Sequence, residues 1–319
     1  MLTALITGIT GQDGLYLAEL LIKKGYRVIG AVRYQGSPVR LAPVLLDNIE
    51  LVDWDMMDQD RMVAVLKEYH PTEIYNLAGY SSGARMYDDP IAMQEVNGLA
   101  ITRMLDAILQ VDINMRFCQA SSREIFGEAD ESPQNELTKA GPRSPYGWAK
   151  LYADSNICTY RQKYDIYACS AILYNHESPY RGLEFVTRKI TYEAAKIRLG
   201  LAEELYLGNL DTSRDWGYAG DYVRAMWLMM QREHASDYIV ATGKTHSVRE
   251  LCEVAFSHLG LSYRDFVRVD ASVYRPSEPI LLVGDATKAK NELGWAPTIT
   301  FNEMIKMMVD ADIDRLKKL

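Results

Sequence analysis

Cysteine, histidine, net positive charge and long apolar runs are all scarce in this sequence, and each scarcity removes a class of function. Four cysteines, Cys118, Cys158, Cys169 and Cys252, are spread over 319 residues without pairing or metal-type spacing, so neither a disulfide framework nor a thiolate metal site is expected. Their apolar neighbours predict buried thiols in a reducing compartment. The five histidines show no ligand pattern, and no metal is expected. Net charge is −8, so no overall field attracts nucleic acid or an anionic membrane; a bound phosphate must be met by local donors. No apolar stretch approaches the roughly 20 residues that span a bilayer. No basic leader or cleavage site precedes the strand-like run Leu2–Thr7, and the expected location is cytoplasmic.

What is present is the pattern of an α/β protein. Strand-like runs (Leu2–Thr7, Arg27–Val32, Ile49–Val52, Glu73–Gly79, Arg116–Ala120 and Ile166–Leu173) alternate with stretches at helical spacing, which predicts a Rossmann-type, doubly wound parallel sheet. The first run enters Gly8-Ile9-Thr10-Gly11-Gln12-Asp13-Gly14 and then a helix stopped by Gly25. In such a strand, glycine turn and helix, backbone N–H groups and the helix N-terminus receive a pyrophosphate. Gly8, Thr10, Gly11, Gln12, Asp13 and Gly14 are therefore candidate cofactor contacts, with a simple tight turn as the alternative. The second strand ends at Arg33, with Arg40 beyond it, where an NAD site would place a carboxylate for the ribose 2′-hydroxyl. An arginine suits a 2′-phosphate, hence NADP, unless it is only a solvated surface charge. Asp55, beside Met56, can accept from an adenine amino group or cap a helix. Leu77 and Ala78 end the fourth strand, where a flat cofactor can lie close to the backbone.

Beyond Leu173 the rhythm becomes irregular. Phe185–Leu199 reads as a helix and Leu205–Leu207 as a strand. Arg214-Asp215-Trp216-Gly217 reads as the opening of a helix through Met230, followed by a strand at Tyr238–Val240 and helices at Ser247–Leu259 and Asn302–Leu316. The expected division is a cofactor domain of residues 1–174 plus about 211–240, and a smaller, interleaved α/β substrate domain of residues 175–210 plus about 241–319.

The candidate chemistry sits in Ser144-Pro145-Tyr146-Gly147-Trp148-Ala149-Lys150. On a helix beginning after Pro145, Tyr146 and Lys150 are i and i+4 and share a face. An ammonium beside a phenol lowers the phenol's pKa from about 10, which would make Tyr146 a base for a substrate hydroxyl. Tyr192 and Lys196 repeat the spacing and are expected on an ordinary amphipathic face. What separates the pairs is Ser122, 24 positions before Tyr146 at the end of the fifth strand; Ala168 holds that place for Tyr192.

This spacing resembles the extended short-chain dehydrogenase/reductase family. Within it the chain closely resembles the GDP-mannose 4,6-dehydratases over nearly its whole length. The matching stretches include Thr7–Gly14, Arg143–Gly147, Asn175–Pro179, Phe185–Lys189, Leu207–Asp211, Arg214–Gly217, Ala241–Gly243 and Tyr274–Pro276. The resemblance implies bound NADP and a GDP-sugar in the cleft to the second domain. Tyr146 would take the proton of the sugar C4 hydroxyl, with Ser122 on the same oxygen and Lys150 tuning the phenol and touching the nicotinamide ribose. Glu124 would remove the C5 proton as water leaves C6. Asn175, Lys189, Gly208, Arg214, Arg275 and Glu278 match positions used for the GDP-sugar, and arginines there suit bidentate phosphate recognition. The family also implies a homodimer or homotetramer.

Three stretches depart from the family pattern. Arg123 replaces a usual serine; it is too basic to donate a proton, and by pairing with Glu124 it would weaken that base. Tyr80-Ser81-Ser82-Gly83 differs beside the expected hexose. The loop Arg33–Arg40 is short, with Tyr34 where a second arginine is common. A related GDP-sugar enzyme (a GDP-manno-heptose 4,6-dehydratase, or a 4-keto reductase or 4-oxidase without elimination) therefore stays open beside the dehydratase.

Overall fold

The computed structural model describes residues 1–33, 47–80, 87–270 and 280–318. Tyr34, Arg40, Ser81, Ser82, Gly83, Tyr274, Arg275 and Glu278 lie outside the described residues.

Seven strands form one parallel sheet: β1 (Thr3–Thr7), β2 (Arg27–Val32), β3 (Ile49–Asp53), β4 (Glu73–Asn76), β5 (Arg116–Ser122), β6 (Ala168–Leu173) and, late in the chain, Tyr238–Val240. The order across the sheet is Tyr238–Val240, β6, β5, β4, β1, β2, β3. The chain thus starts in the middle and winds first one way and then the other. It reverses between β1 and β4, and the crevice at such a switch point, beyond the carboxyl ends of the strands, is where doubly wound sheets bind ligands. Parallel strands covered on both faces read as continuous apolar runs, and β1 and β6 are buried at every residue.

A buried polar ladder fixes the strand ends at the switch point. Thr7 Oγ1 donates to Asn76 Oδ1 at 2.5 Å and accepts from the N–H groups of Leu77 and Ala78, while Asn76 Nδ2 donates to Gln119 Oε1 at 2.7 Å. Buried polar groups persist only when they are paired, so this ladder locks the ends of β1, β4 and β5 in register.

The late strand Tyr238–Val240 is β10; β7 (Asn175–Glu177), β8 (Leu205–Leu207), β9 (Ser213–Tyr218), β11 (Thr245–Ser247) and β12 (Val267–Val269) form two small sheets apart from the large one. β9 lies between β7 and β11, and β8 pairs with β12. Here the expected helix opening at Arg214 is corrected: Ser213–Tyr218 is a strand, and the helix is Ala219–Met230. The pull towards strand comes from pairing on both edges and from Asp215, whose carboxylate accepts from the N–H groups of Thr242, Gly243 and Gly284. Within 211–240, β9 therefore belongs to the three-stranded sheet and β10 to the large one. Three of the cysteines are buried as expected, but Cys158 is only half-buried.

A separate apolar core under the small sheets includes Ile190, Ala194, Leu251, Phe256, Met304 and Met308. Above it, the helices Val186–Arg198 and Phe301–Leu316 are joined by Arg188 and the fully buried Asp312. Arg188 Nε donates to both carboxylate oxygens at 2.9 and 3.0 Å, and Thr191 Oγ1 donates to one at 2.8 Å. Arg188 also donates to the carbonyls of Pro179 and Arg181, which pins that turn beside β7. Removing one partner of a buried pair strands the other charge at a cost of about 3–5 kcal/mol. Asp312→Ala should lose that much in denaturant unfolding, and a loss below about 1 kcal/mol would show that the pair does not hold these helices.

Candidate active site

The helix Pro145–Tyr164 begins where the sequence places it. Ser144 caps it by accepting from Gly147 N at 3.1 Å, and Pro145 takes the first position, where no donor is needed. Its first turn lies directly on the turn that follows β5: a Cβ at Gly147 would stand 2.6 Å from the Glu124 carbonyl oxygen. Ser122 caps that turn, its Oγ accepting from Glu124 N at 3.2 Å, and its hydroxyl is near enough to the Tyr146 phenol to lower that group's pKa. Ser122, Glu124, Tyr146 and Lys150 therefore converge at the carboxyl end of β5. Tyr192 and Lys196 stay on a different helix, where Lys196 pairs with Glu193 at 3.1 Å.

The electrostatics of the pair differ from the sequence expectation. Burial pushes the Tyr146 phenol up to about 12, against the lowering influence of the Ser122 bond. Lys150 is only 5% exposed, and burial brings it down to about 8, against the pull of Asp154. Its Nζ donates to the Ala120 carbonyl at 2.7 Å and lies 5.6 Å from the Tyr146 ring centre. Desolvation, which disfavours charge on either group, outweighs the attraction expected from helical spacing.

Two polar residues at this site were not legible beforehand. Asp154, one turn beyond Lys150, accepts from Ser121 Oγ at 2.5 Å and Ser170 Oγ at 2.7 Å, and burial raises its carboxyl to about 7. Asn97, fully buried in the π turn Glu95–Leu99, accepts from Tyr80 N and donates to Tyr80 O, holding the chain just past β4. An asparagine inside a helical stretch was the only signal for the second, and a helical i+4 carboxylate for the first.

Arg123 faces inward, 6% exposed. Its Nη2 lies 2.9 Å from Glu124 Oε1, and its Nε donates to Asn175 Oδ1 at 2.7 Å. The substrate-side candidate Asn175 thus touches the same guanidinium as the candidate base. Lys189 is exposed and donates to Tyr206 O, Gly208 follows β8, and Arg214 is half-buried on β9 with Nη1 on Ser213 O. In this structure each of these side chains meets a neighbouring backbone carbonyl or, for Asn175, the Arg123 guanidinium.

The glycine turn has the shape of an anion cradle. Gly8 has φ +69°, and a Cβ there would lie 2.8 Å from Ala78 N; a Cβ at Gly14 would lie 2.4 Å from the Gly8 carbonyl. The helix Gln12–Lys23 starts at Gly11 without a side-chain cap, and Thr10 and Gly11 are exposed. Uncapped N–H groups beside a close-packed glycine turn fit a pyrophosphate. Arg33 is exposed just past β2, and Leu77 and Ala78 line the end of β4. Met56 is buried against Trp54 Nε1, and Asp55 accepts from Met57 N at 2.9 Å. The helix cap after β3 is Asp58, not Asp55.

Gln12 and Asp13 spend their side chains on β7 and the turn after it. Gln12 donates to His176 O and accepts from Ser178 Oγ. Both ring nitrogens of His176 face acceptors: Nδ1 is 2.8 Å from Tyr174 O, and Nε2 is 2.9 Å from Asp13 Oδ2. Two acceptors require two N–H donors, so the ring is charged while Asp13 is ionised. Burial raises Asp13, but the charge and hydrogen bond of His176 overcome it and hold the carboxyl below its usual 3.8. Burial likewise lowers His176, but Asp13 overcomes it and holds the imidazole above its usual 6.5. The stability from His176 is complete below 6.5 and fades as pH rises through its raised value; that from Asp13 is present above 3.8 and fades as pH falls through its lowered value. Asp13→Asn should therefore melt below the parent by the widest margin between those values, with the margin shrinking on the alkaline side. Thermal melts across this range check it, and a margin independent of pH would rule out a charged pair.

Comparison with known proteins bears on the family and the fold. The profile of the GDP-mannose 4,6 dehydratase family matches residues 5–308. A GDP-mannose 4,6 dehydratase of Drosophila melanogaster is 45% identical over 343 residues, covering 99% of this chain and 87% of the relative. Among solved structures, RMD from Pseudomonas aeruginosa complexed with NADPH superposes with a TM-score of 0.83 at 22% identity, covering 99% of this chain and all of that one. The dTDP-glucose 4,6-dehydratase of Bacillus anthracis in complex with NAD gives 0.86 at 19%, covering 99% and 98%. At those identities the two structures speak for the fold. The family match along nearly the whole sequence places this chain in the GDP-mannose 4,6-dehydratase family.

Proposed function

We propose that the chain converts GDP-mannose to GDP-4-keto-6-deoxymannose and retains a nicotinamide dinucleotide, NADP in preference to NAD. The observation that carries this reading is the convergence of Ser122, Tyr146, Lys150 and Glu124 at the carboxyl end of β5. The Gly8–Gly14 turn would hold the pyrophosphate of a nicotinamide dinucleotide and Arg33 would be available to a 2′-phosphate; the cofactor would supply hydride acceptance and return. Tyr146, with the Ser122 hydroxyl nearby, takes the proton of the C4 hydroxyl as that carbon is oxidised. Lys150 holds a positive charge near the phenol. The 4-ketone acidifies the C5 proton, which Glu124 removes while water leaves C6. Of the two protons taken up, one would leave with the C6 hydroxyl as water and one would return to C5 as hydride is restored to C6, which balances the oxidation at C4.

The GDP moiety is read onto Asn175, Lys189, Gly208, Arg214, Arg275 and Glu278, and the domain division onto residues 1–174 plus about 211–240 against the remainder. A related GDP-sugar, such as GDP-manno-heptose, is the second reading, favoured by Arg123 in place of the family's serine. Incubation of purified protein with GDP-mannose and either NADP or NAD, followed by mass spectrometry of C6 deoxygenation, tests the proposal. A product oxidised only at C4, or no product, would overturn it, and faster reconstitution by NAD would overturn the cofactor preference.

A further inference from the structure

We infer that Arg123 is a positioning residue for Glu124, tying the carboxylate that takes the C5 proton to Asn175 on the substrate side. The inference rests on the dehydratase reading above and adds to it a role for the residue that departs from the family.

The backbone of Glu124 is already fixed from two sides, by the Ser122 cap and by the helix turn packed on its carbonyl at Gly147. Its side chain is not. A glutamate carries three rotatable bonds, and a base that must reach one carbon-bound proton has to be aimed. The Arg123 guanidinium does this with two donors that point in different directions, Nη2 to Glu124 Oε1 at 2.9 Å and Nε to Asn175 Oδ1 at 2.7 Å. The planar fork of arginine can make both contacts at fixed angles, whereas a lysine ammonium makes one at a time with little directional hold. Both side chains are withdrawn from solvent, 8% exposed for Arg123 and 21% for Glu124, so water competes little for either contact.

The line of contacts continues. Asn175 adjoins His176 on β7, and His176 holds Asp13 in the glycine turn. Glu124, Arg123, Asn175, His176 and Asp13 thus form one chain of polar and covalent links from the base of the elimination to the cradle of the cofactor. Arg123 cannot act as the acid that helps water leave C6, because a guanidinium does not give up its proton at working pH. Its geometry serves aim, and its loss should harm the step that Glu124 performs and spare the one that Tyr146 performs.

The test uses cofactor-loaded protein and GDP-mannose, with two readouts: single-turnover reduction of the nicotinamide, which follows C4 oxidation, and C5 exchange from heavy water with C6 deoxygenation, which follow elimination. Arg123→Met should slow elimination about 100-fold. It should leave C4 oxidation within about threefold, because that step does not depend on the aim of Glu124. Arg123→Lys, keeping the charge and one contact, should recover about a tenth of the lost rate or more. Should Arg123→Met be insoluble, Arg123→Gln is read the same way. Elimination unchanged in Arg123→Met, or oxidation and elimination falling by the same factor, would overturn the inference. A parent protein that never eliminates would instead overturn the dehydratase reading.

Discussion

Tyr146→Phe should reduce turnover about a hundred- to ten-thousandfold while leaving cofactor binding intact. The phenol oxygen is the only part of Tyr146 that the substitution removes, and the ring stays in the first turn of the helix Pro145–Tyr164. Burial outweighs the lowering influence of the Ser122 hydroxyl and holds the phenol's pKa at about 12, so it is protonated in the resting site. A base so poised works only if charge arrives nearby, and Lys150 is the cation that the fold brings within 5.6 Å of the ring. Burial has lowered Lys150 to about 8. Its charged fraction therefore falls as pH rises through that value, and turnover should fall with it on the alkaline side. Turnover with NADP-loaded Tyr146→Phe, and retained nicotinamide after gel filtration, measure the two halves of this expectation. Undiminished turnover would remove Tyr146 from the mechanism.

The parts of this site that depend on neighbours in sequence were legible, and those that depend on distant partners were not. The Gly8–Gly14 turn, the cap at Ser144 and the i, i+4 relation of Tyr146 and Lys150 are all set within one or two turns of chain. The fixed interval from Ser122 to Tyr146 extended that reach because the strand and the helix that carry them are adjacent layers. By contrast, Ser213–Tyr218 was misread as a helix opening. Its strand form depends on β7 and β11 alongside it, and its residues lead straight into the helix Ala219–Met230. Asp13 was expected at the cofactor, but its partner His176 is remote in sequence and turns it into a link between the glycine turn and β7. The tuning of Tyr146 and Lys150 was misjudged for a related reason. Spacing reports who is near whom, while burial, which dominates both shifts, is a property of everything packed around them.

Glu124→Gln should separate the two halves of the reaction. The amide keeps the size of the carboxylate and can still accept from Arg123 at the 2.9 Å contact, so the turn after β5 should hold its shape. What it loses is the ability to take a proton from carbon, a step with no other candidate base beside it among the described residues that converge here. Loss of a general base costs about a hundred- to ten-thousandfold. C4 oxidation, which belongs to Tyr146 and Ser122, should persist within about tenfold, since the Ser122 cap involves the Glu124 backbone and not its side chain. The expected signature is a burst of reduced nicotinamide on adding GDP-mannose, without C5 exchange from heavy water and without loss of the C6 oxygen. If elimination continued at the parent rate, Asp154 and Lys150 would be poor substitutes to invoke. Asp154 is held by Ser121 and Ser170 and Lys150 by the Ala120 carbonyl, so neither is aimed as Glu124 is. That result would overturn Glu124 as the C5 base.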